Sequence, residues 1–179
     1  GLGIPYSPDD GSGPDPVDLA AAAVEHLGPL DLPIIMEPGR FLVGNAGVMI
    51  ADVVYTKNSY DHRFLLLNAG MNDLMRPALY DAYHHVLPLM HSEVATVPQD
   101  LAGPICESTD VFAKQRLLPP LDEGAQLAFC TAGAYCAVLA NHYNGRALPA
   151  EVLLESDGTA RLIRPAISDE DMIAREQTL

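Results

Sequence analysis

No apolar run in the chain is long enough to cross a membrane. Stretches such as Phe64–Leu67 and Val152–Leu154 fall far short of the roughly 20 residues a spanning helix needs, so a membrane partner is not expected. Basic residues are scarce too: ten Lys and Arg stand against 24 Asp and Glu, for a net charge of -14. Such a surface repels nucleic-acid phosphates and anionic lipid, which removes nucleic acid from the expected partners. Simple solubility accounts for the excess acid. Cysteine is limited to Cys106, Cys130 and Cys136, an odd number without C-x-x-C spacing. That pattern favours reduced thiols in a cytoplasm over a disulfide framework or a zinc site. The six histidines form no i, i+4 pair with a nearby carboxylate, and the neighbours His84 and His85 point to different faces of any helix, so no metal site is expected. There is no Ser-His-Asp or G-x-S-x-G arrangement, no internal repeat and no low-complexity segment. The start shows no basic stretch followed by an apolar one, so no secretory signal is read, and with Gly at position 1 the natural N-terminus is expected upstream.

What is present is a globular composition. Of 179 residues, 49% are hydrophobic and 19% charged, enough for one domain and part of another. The first forty residues read as loop, helix, strand. Pro16 suits a helix start, Val17–Leu27 carries a helical apolar face, and Gly28 is its stop. Leu32–Met36 is wholly apolar, as in a parallel strand covered on both faces. One such unit cannot close a sheet alone.

Beyond Arg40 the pattern turns to short strands. A helix is predicted over Phe41–Ala46, strands over Val48–Lys57 and Arg63–Asn68, and a helix over Asp73–Val86 with Pro77 in its first turn. Further strands are predicted near 94–97, 103–106, 127–130, 136–141, 150–155 and 160–164. Asn144-Gly145 and Asp157-Gly158 are hairpin dipeptides, and Ser168–Glu176 resembles a capped terminal helix. The predicted class is mainly β with a few helices: a Greek-key β-barrel or sandwich preceded by a fragment of an α/β repeat.

Four clusters could carry chemistry. Glu37-Pro38-Gly39-Arg40 follows the apolar strand and opens a helix, where backbone N–H groups and Gly39 admit an anion; with Gly1 and Gly3 it resembles half a phosphate cradle, although an ordinary turn explains it equally. Arg76 and Tyr80 share a helix face, a fork and a phenol suited to a carboxylate, against a scattered surface charge. Cys106-Glu107-Ser108 offers a proton donor, an ammonium ligand and a carboxylate ligand, against an inert buried cysteine. Tyr135 could donate to an anion or simply pack.

In order along the chain, Gly1-Leu2-Gly3-Ile4, Glu37-Pro38-Gly39-Arg40, Asn68 to Tyr80, Gly103-Pro104-Ile105-Cys106-Glu107-Ser108-Thr109-Asp110 and Ala132-Gly133-Ala134-Tyr135 resemble the diaminopimelate decarboxylases. These are fold-type III pyridoxal-phosphate enzymes, relatives of ornithine and arginine decarboxylases and alanine racemase. The resemblance implies that residues 1–40 are the last part of a (β/α)8 barrel, 41–165 a β-domain and 166–179 a C-terminal helix and tail. It implies pyridoxal 5'-phosphate as cofactor and meso-diaminopimelate as substrate, decarboxylated at its D-configured centre to L-lysine. It also implies a homodimer with shared active sites. Cys106 would then be the catalytic proton donor. Arg40, Arg76, Tyr80 and Ser108 would hold the distal carboxylate and Glu107 the distal ammonium. Gly1, Gly3, Glu37, Gly39, Arg40 and Tyr135 would contact the cofactor.

The family's Schiff-base lysine has no counterpart here: Lys57 and Lys114 are the two lysines, and neither lies in the matching context. The isolated chain is therefore expected to be inactive and to bind the cofactor weakly or not at all, with Leu32–Met36 mobile, swapped between chains or in an oligomer contact. The alternatives are an ornithine-, arginine- or carboxynorspermidine-type decarboxylase, or a β-domain that acts as a non-catalytic regulatory partner.

Overall fold

The computed structural model describes residues 1–176. Its centre is a six-stranded mixed sheet with spatial order β3-β6-β1-β2-β4-β5. The strands are β1 (Met49–Ser59), β2 (His62–Leu67), β3 (Val86–Pro88), β4 (Val97–Ala102), β5 (Val111–Leu118) and β6 (Gln126–Phe129). A separate two-stranded sheet joins β7 (Glu151–Leu154) to β8 (Ala160–Arg164). The helices are few and mostly short: α1 (Pro16–Leu27), α2 (Gly39–Val43), α3 (Arg76–Tyr80) and α4 (Asp169–Glu176). None among the described residues is long and apolar enough to cross a membrane. The mainly-β class with a few helices is the observed one.

β1, with the β-branched Ile50, Val53, Val54 and Thr56, pairs antiparallel with β2 on one side and β6 on the other. A register shift between Val53 and Tyr55 bends it. The sheet curls until its ends meet over one core. Phe112 of β5 packs 4.9 Å from Phe129 of β6, although β1, β2 and β4 lie between them in the sheet. Arg116 of β5 reaches across to the carbonyl of His84, just ahead of β3, at 3.1 Å. Leu65, Leu67, Leu74, Leu101, Leu127 and Phe129 are fully buried inside the curl. Side chains of this kind each stabilise the fold by roughly 1.5–3 kcal/mol.

Several elements depart from the sequence reading. Leu32–Met36 forms no strand, and Ile35 is 88% exposed; a strand needs a hydrogen-bonding neighbour, and none of the described strands reaches this segment. The helix predicted over Asp73–Val86 is confined to Arg76–Tyr80, because Asp81 turns left-handed at φ 51° and ends it. Residues 103–106 and 136–141 are turns rather than strands. Asn144-Gly145 closes a 3-10 turn, not a hairpin, with φ of 61° and 68°. β5 was not read from the sequence at all, its alternation being broken by Lys114, Gln115 and Arg116. The Asp157-Gly158 hairpin between β7 and β8 is present. Helix α1 begins at Pro16, with the Asp15 carboxylate accepting from Val17 N–H at 2.7 Å. The predicted C-terminal helix is α4; positions 177–179 of the predicted tail lie outside the described residues.

One buried carboxylate holds the β4–β5 bulge. Asp100 accepts from the Gln115 N–H and the His62 ring nitrogen, both at 2.6 Å, while Gln115 sits at φ 49°. Burial pushes the Asp100 carboxyl up, but these hydrogen bonds outweigh it and hold it below its ordinary 3.8. A group lowered in this way contributes stability that is present above the unfolded value and lost as pH falls through the folded one. Asp100→Ala should cost about 1–3 kcal/mol near neutrality, having stranded the Gln115 N–H. In thermal melts the gap from the wild type should narrow below about pH 4; a gap independent of pH would contradict this account.

Candidate active site

Four separate segments converge on one surface recess. Gly1–Ile4 and Tyr6 of the N-terminal strip, Glu37, Arg40 of α2 and Tyr135 line a cavity of about 340 Å³. A second cavity of about 400 Å³ is lined by Arg40, Arg76, Tyr80 and Tyr135. Arg40 and Tyr135 belong to both, so the two cavities adjoin across this pair. One is glycine-lined, the other arginine-lined.

Local backbone chemistry sets these positions. Tyr135 occupies φ 59°, a left-handed turn directly after Gly133 and Ala134. Gly133 lies against the end of α2 so closely that an added Cβ would overlap the Val43 carbonyl oxygen and come within 2.9 Å of the Gly47 nitrogen. Hydrogen bonds from Gly133 N–H to Gly44 O (3.0 Å) and from Ala132 N–H to Gly47 O (2.8 Å) lock the contact. This close approach brings Tyr135 over Arg40, with 5.0 Å from guanidinium carbon to ring centroid.

Tyr6 ties the two arginines together. The Arg76 guanidinium stands 4.3 Å from its ring centroid and that of Arg40 5.6 Å. The Tyr6 hydroxyl is buried without a hydrogen-bond partner among the described residues. Arg76 itself is 6% exposed. Its Nη1 donates to His84 Nε2 at 2.9 Å, and His84 Nδ1 lies 2.9 Å from the Cys130 carbonyl. Neither Arg40 nor Arg76 makes an ion pair among the described residues; the pairs that form involve His62, Arg63, His91, Arg161 and Arg164. A buried guanidinium lacking a carboxylate is costly, and an incoming anion would relieve that cost. Burial, with help from Arg76 and Arg116, keeps the His84 imidazole below its ordinary 6.5 despite the Cys130 carbonyl. Burial also pushes the Cys136 thiol up to about 11 and raises that of Cys130, which disfavours the thiolate at both.

Gly1, Gly3, Glu37, Arg40, Arg76, Tyr80 and Tyr135 are thus brought together, whereas Gly39 opens α2 without lining either cavity. Cys106, Glu107 and Ser108 are not gathered there. They ride an exposed loop that lines neither cavity. The Asp110 carboxylate clasps that loop, accepting from Met71 N–H and Ile105 N–H, both at 2.6 Å. Lys57 lies in β1 and Lys114 in β5, away from the recess lining. No cluster of three or more His, Cys, Asp or Glu suited to a metal ion occurs among the described residues.

Two neighbours of Arg76 escaped the sequence reading. Tyr6 lies in the opening segment without a motif of its own, and His84 enters only among the histidines that suggest no metal site. No periodicity links positions 6, 76 and 84. Arg76 and His84 are eight residues apart, on either side of the αL turn at Asp81, and Tyr6 reaches both from the N-terminal strip.

The recess can hold a phosphorylated aldehyde at its glycine-lined end. An added Cβ at Gly3 meets nothing within 4 Å, so there is open space beside the backbone at that end. Arg40 and the Tyr135 hydroxyl are donors suited to a dianion. The residues present fit the phosphate end of pyridoxal phosphate, while no lysine stands ready for its aldehyde.

The profile of the pyridoxal-dependent decarboxylase C-terminal sheet domain matches residues 9–133. The chain is 44% identical over 164 residues to a diaminopimelate decarboxylase of Aquifex aeolicus, covering 92% of this chain and 39% of that protein. It is 40% identical to the Haemophilus influenzae diaminopimelate decarboxylase, covering 100% of this chain and 43% of that one. A crystal structure of diaminopimelate decarboxylase from Helicobacter pylori, complexed with L-lysine, superposes with a TM-score of 0.89 at 38% identity, covering 99% of this chain and 43% of that one. The chain spans about two fifths of the length of the curated relatives it matches.

Proposed function

The chain belongs to the pyridoxal-dependent decarboxylases, within their C-terminal sheet domain, and on that premise we propose that it supplies the carboxylate-binding half of an active site converting meso-diaminopimelate to L-lysine and carbon dioxide. The observation that carries this reading is Arg76: buried, charged, and without an acidic partner among the described residues. Arg76, Arg40 and the Tyr80 hydroxyl would grip the distal L-carboxylate, which an ornithine-type substrate lacks. Its absence would leave the buried guanidinium unpaired.

Arg40, Tyr135 and the backbone at Gly1, Gly3 and Gly39 would hold the phosphate of pyridoxal 5'-phosphate, with Glu37 of the same cavity as a further cofactor contact. When bound, this cofactor supplies the electron sink for the pair left behind as carbon dioxide departs. The chain's own residues fix the substrate's distal end, so that the scissile carboxyl is presented in one orientation. The Cys106 thiol would return a proton to the reacting carbon, with Glu107 on the distal ammonium and Ser108 on the distal carboxylate. Because that loop is exposed and lines neither cavity, it would serve the site of a second copy in a homodimer.

Residues 1–40 suit the end of a (β/α)8 barrel: Val17, Val24, Leu32, Ile34, Ile35 and Met36 all present apolar surface outward. Residues 41–165 would then be the β-domain and 166–179 the returning tail. Three free cysteines suit a reducing cytoplasm.

The test is direct. The protein carrying this chain in its complete reading frame should release lysine and carbon dioxide in equal amounts from meso-diaminopimelate. It should use L-ornithine at least ~100-fold less efficiently. Equal use of the two would overturn the carboxylate reading. The 179 residues alone should show no cofactor absorbance that survives dialysis, since neither lysine lines the recess.

A further inference from the structure

We propose that His84 is a positioning residue that aims the Arg76 guanidinium at the substrate carboxylate through a hydrogen-bond chain running in one direction, and that the chain holds only while the imidazole is neutral. This inference rests on the functional reading above and adds a residue to its specificity machinery. His84 does not line either cavity and would never touch substrate; it acts through Arg76.

The direction of the chain follows from what each atom can do. The Cys130 carbonyl can only accept, so His84 Nδ1, 2.9 Å away, must carry the hydrogen. In a neutral ring that leaves Nε2 with a lone pair. Arg76 Nη1, with no acceptor capacity, donates to it at 2.9 Å. Every link is therefore satisfied in one tautomer and in no other. His84 is 1% exposed and Arg76 6%, so water does not compete for either bond. The Tyr6 ring closes the remaining sides: it lies edge-on to His84 at 5.3 Å and beneath the Arg76 guanidinium at 4.3 Å. Clamped between an acceptor and an aromatic face, the guanidinium keeps its other edge for the cavity it shares with Arg40 and Tyr80.

The charges around His84 favour the neutral ring. Arg76 faces it from α3, and Arg116 of β5 bonds its backbone carbonyl at 3.1 Å. Tyr6 packs from the N-terminal strip, the Cys130 carbonyl from the segment after β6, and His85 follows in sequence. No carboxylate is among its partners in the described residues. Protonation would place a second cation against Arg76 and turn Nε2 from acceptor to donor, releasing the guanidinium from its aim. Burial and the two arginines hold the ring below its ordinary titration range, so the chain is intact at neutral pH.

Two substitutions in the complete protein separate positioning from packing. His84→Gln keeps an acceptor near the place of Nε2 and cannot titrate. His84→Asn keeps a donor near Nδ1 and is too short to receive Arg76. For meso-diaminopimelate, His84→Asn should raise KM roughly tenfold, as expected for losing one hydrogen bond to a charged group, with kcat little changed. His84→Gln should restore a KM close to the wild type. The wild-type KM should rise as pH falls through the His84 titration, and that rise should be missing from His84→Gln. A wild-type KM in His84→Asn, or the same pH rise in His84→Gln, would overturn the proposal.

A measurement on the unsubstituted protein covers the case in which a variant fails to fold. Long-range proton–nitrogen correlation of the histidine rings should show His84 protonated on Nδ1 and bare on Nε2 at neutral pH. An Nε2–H tautomer, or a charged ring, would overturn the chain whatever the substrate is. Failure of the wild type to decarboxylate diaminopimelate would instead overturn the functional reading, and the ring spectrum would still decide the hydrogen-bond chain.

Discussion

Arg76→Met in the complete protein should lower kcat/KM for meso-diaminopimelate by roughly 30-fold to several thousand-fold, the equivalent of about 2–5 kcal/mol for an unpaired partner in a buried charge-assisted contact. The same substitution should leave the fold intact. The guanidinium is buried without an acidic partner among the described residues, so its removal relieves desolvation. Against that gain stand two losses, the donor to His84 Nε2 and the cation–π contact with the Tyr6 ring. Gain and losses should offset to within about 1 kcal/mol, and the melting temperature should barely move. That combination marks a residue kept for a ligand rather than for the core. Arg76→Lys should not restore activity, because a point charge cannot reproduce the fork that meets both His84 and a carboxylate. A melting temperature that collapses along with activity would show Arg76 to be structural instead.

Gly133→Ala should act in the opposite sense, through stability first. Its new methyl would meet the Val43 carbonyl and the Gly47 nitrogen, both backbone atoms that no side-chain rotation can clear. The expected cost is about 3 kcal/mol or more, a fall in melting temperature of roughly 6–12 °C for a domain of this size. What relaxes would be the contact between the end of α2 and the turn bearing Tyr135, so any folded protein should also lose affinity for pyridoxal phosphate. Gly3→Ala is the matched control, since a methyl there meets nothing within 4 Å. Its melting temperature should equal that of the wild type. Equal melting temperatures for all three proteins would show that the backbone near Gly133 yields more easily than its contacts indicate.

Legibility from sequence differed by element, for physical reasons. Helix α1 could be read because its signals are local: Asp15 as cap, Pro16 at the first turn, an apolar period to Leu27. The β7–β8 hairpin could be read because Asp157-Gly158 supplies its turn and the partners are adjacent. β5 could not, since Lys114, Gln115 and Arg116 interrupt its alternation and its partners in β4 lie nine to 21 residues away. The helix beyond Tyr80 was overread because the αL turn at Asp81 carries no glycine or asparagine signal. Leu32–Met36 carries strand composition without a strand, as composition creates no neighbour.

Five short motifs in order, with a pair of arginines and a glycine-lined strip among them, were enough in one dimension to identify the family and nominate its residues. Whether Arg40 and Arg76 share a site was beyond that information. Arg76 and His84 lie eight residues apart, but Tyr6, Arg40 and Tyr135 join them through contacts between residues tens of positions apart, with Gly133 letting two backbones approach. Local propensities act over a few residues; which distant side chains become neighbours is set by strand order and close packing, and these exist only in the folded chain.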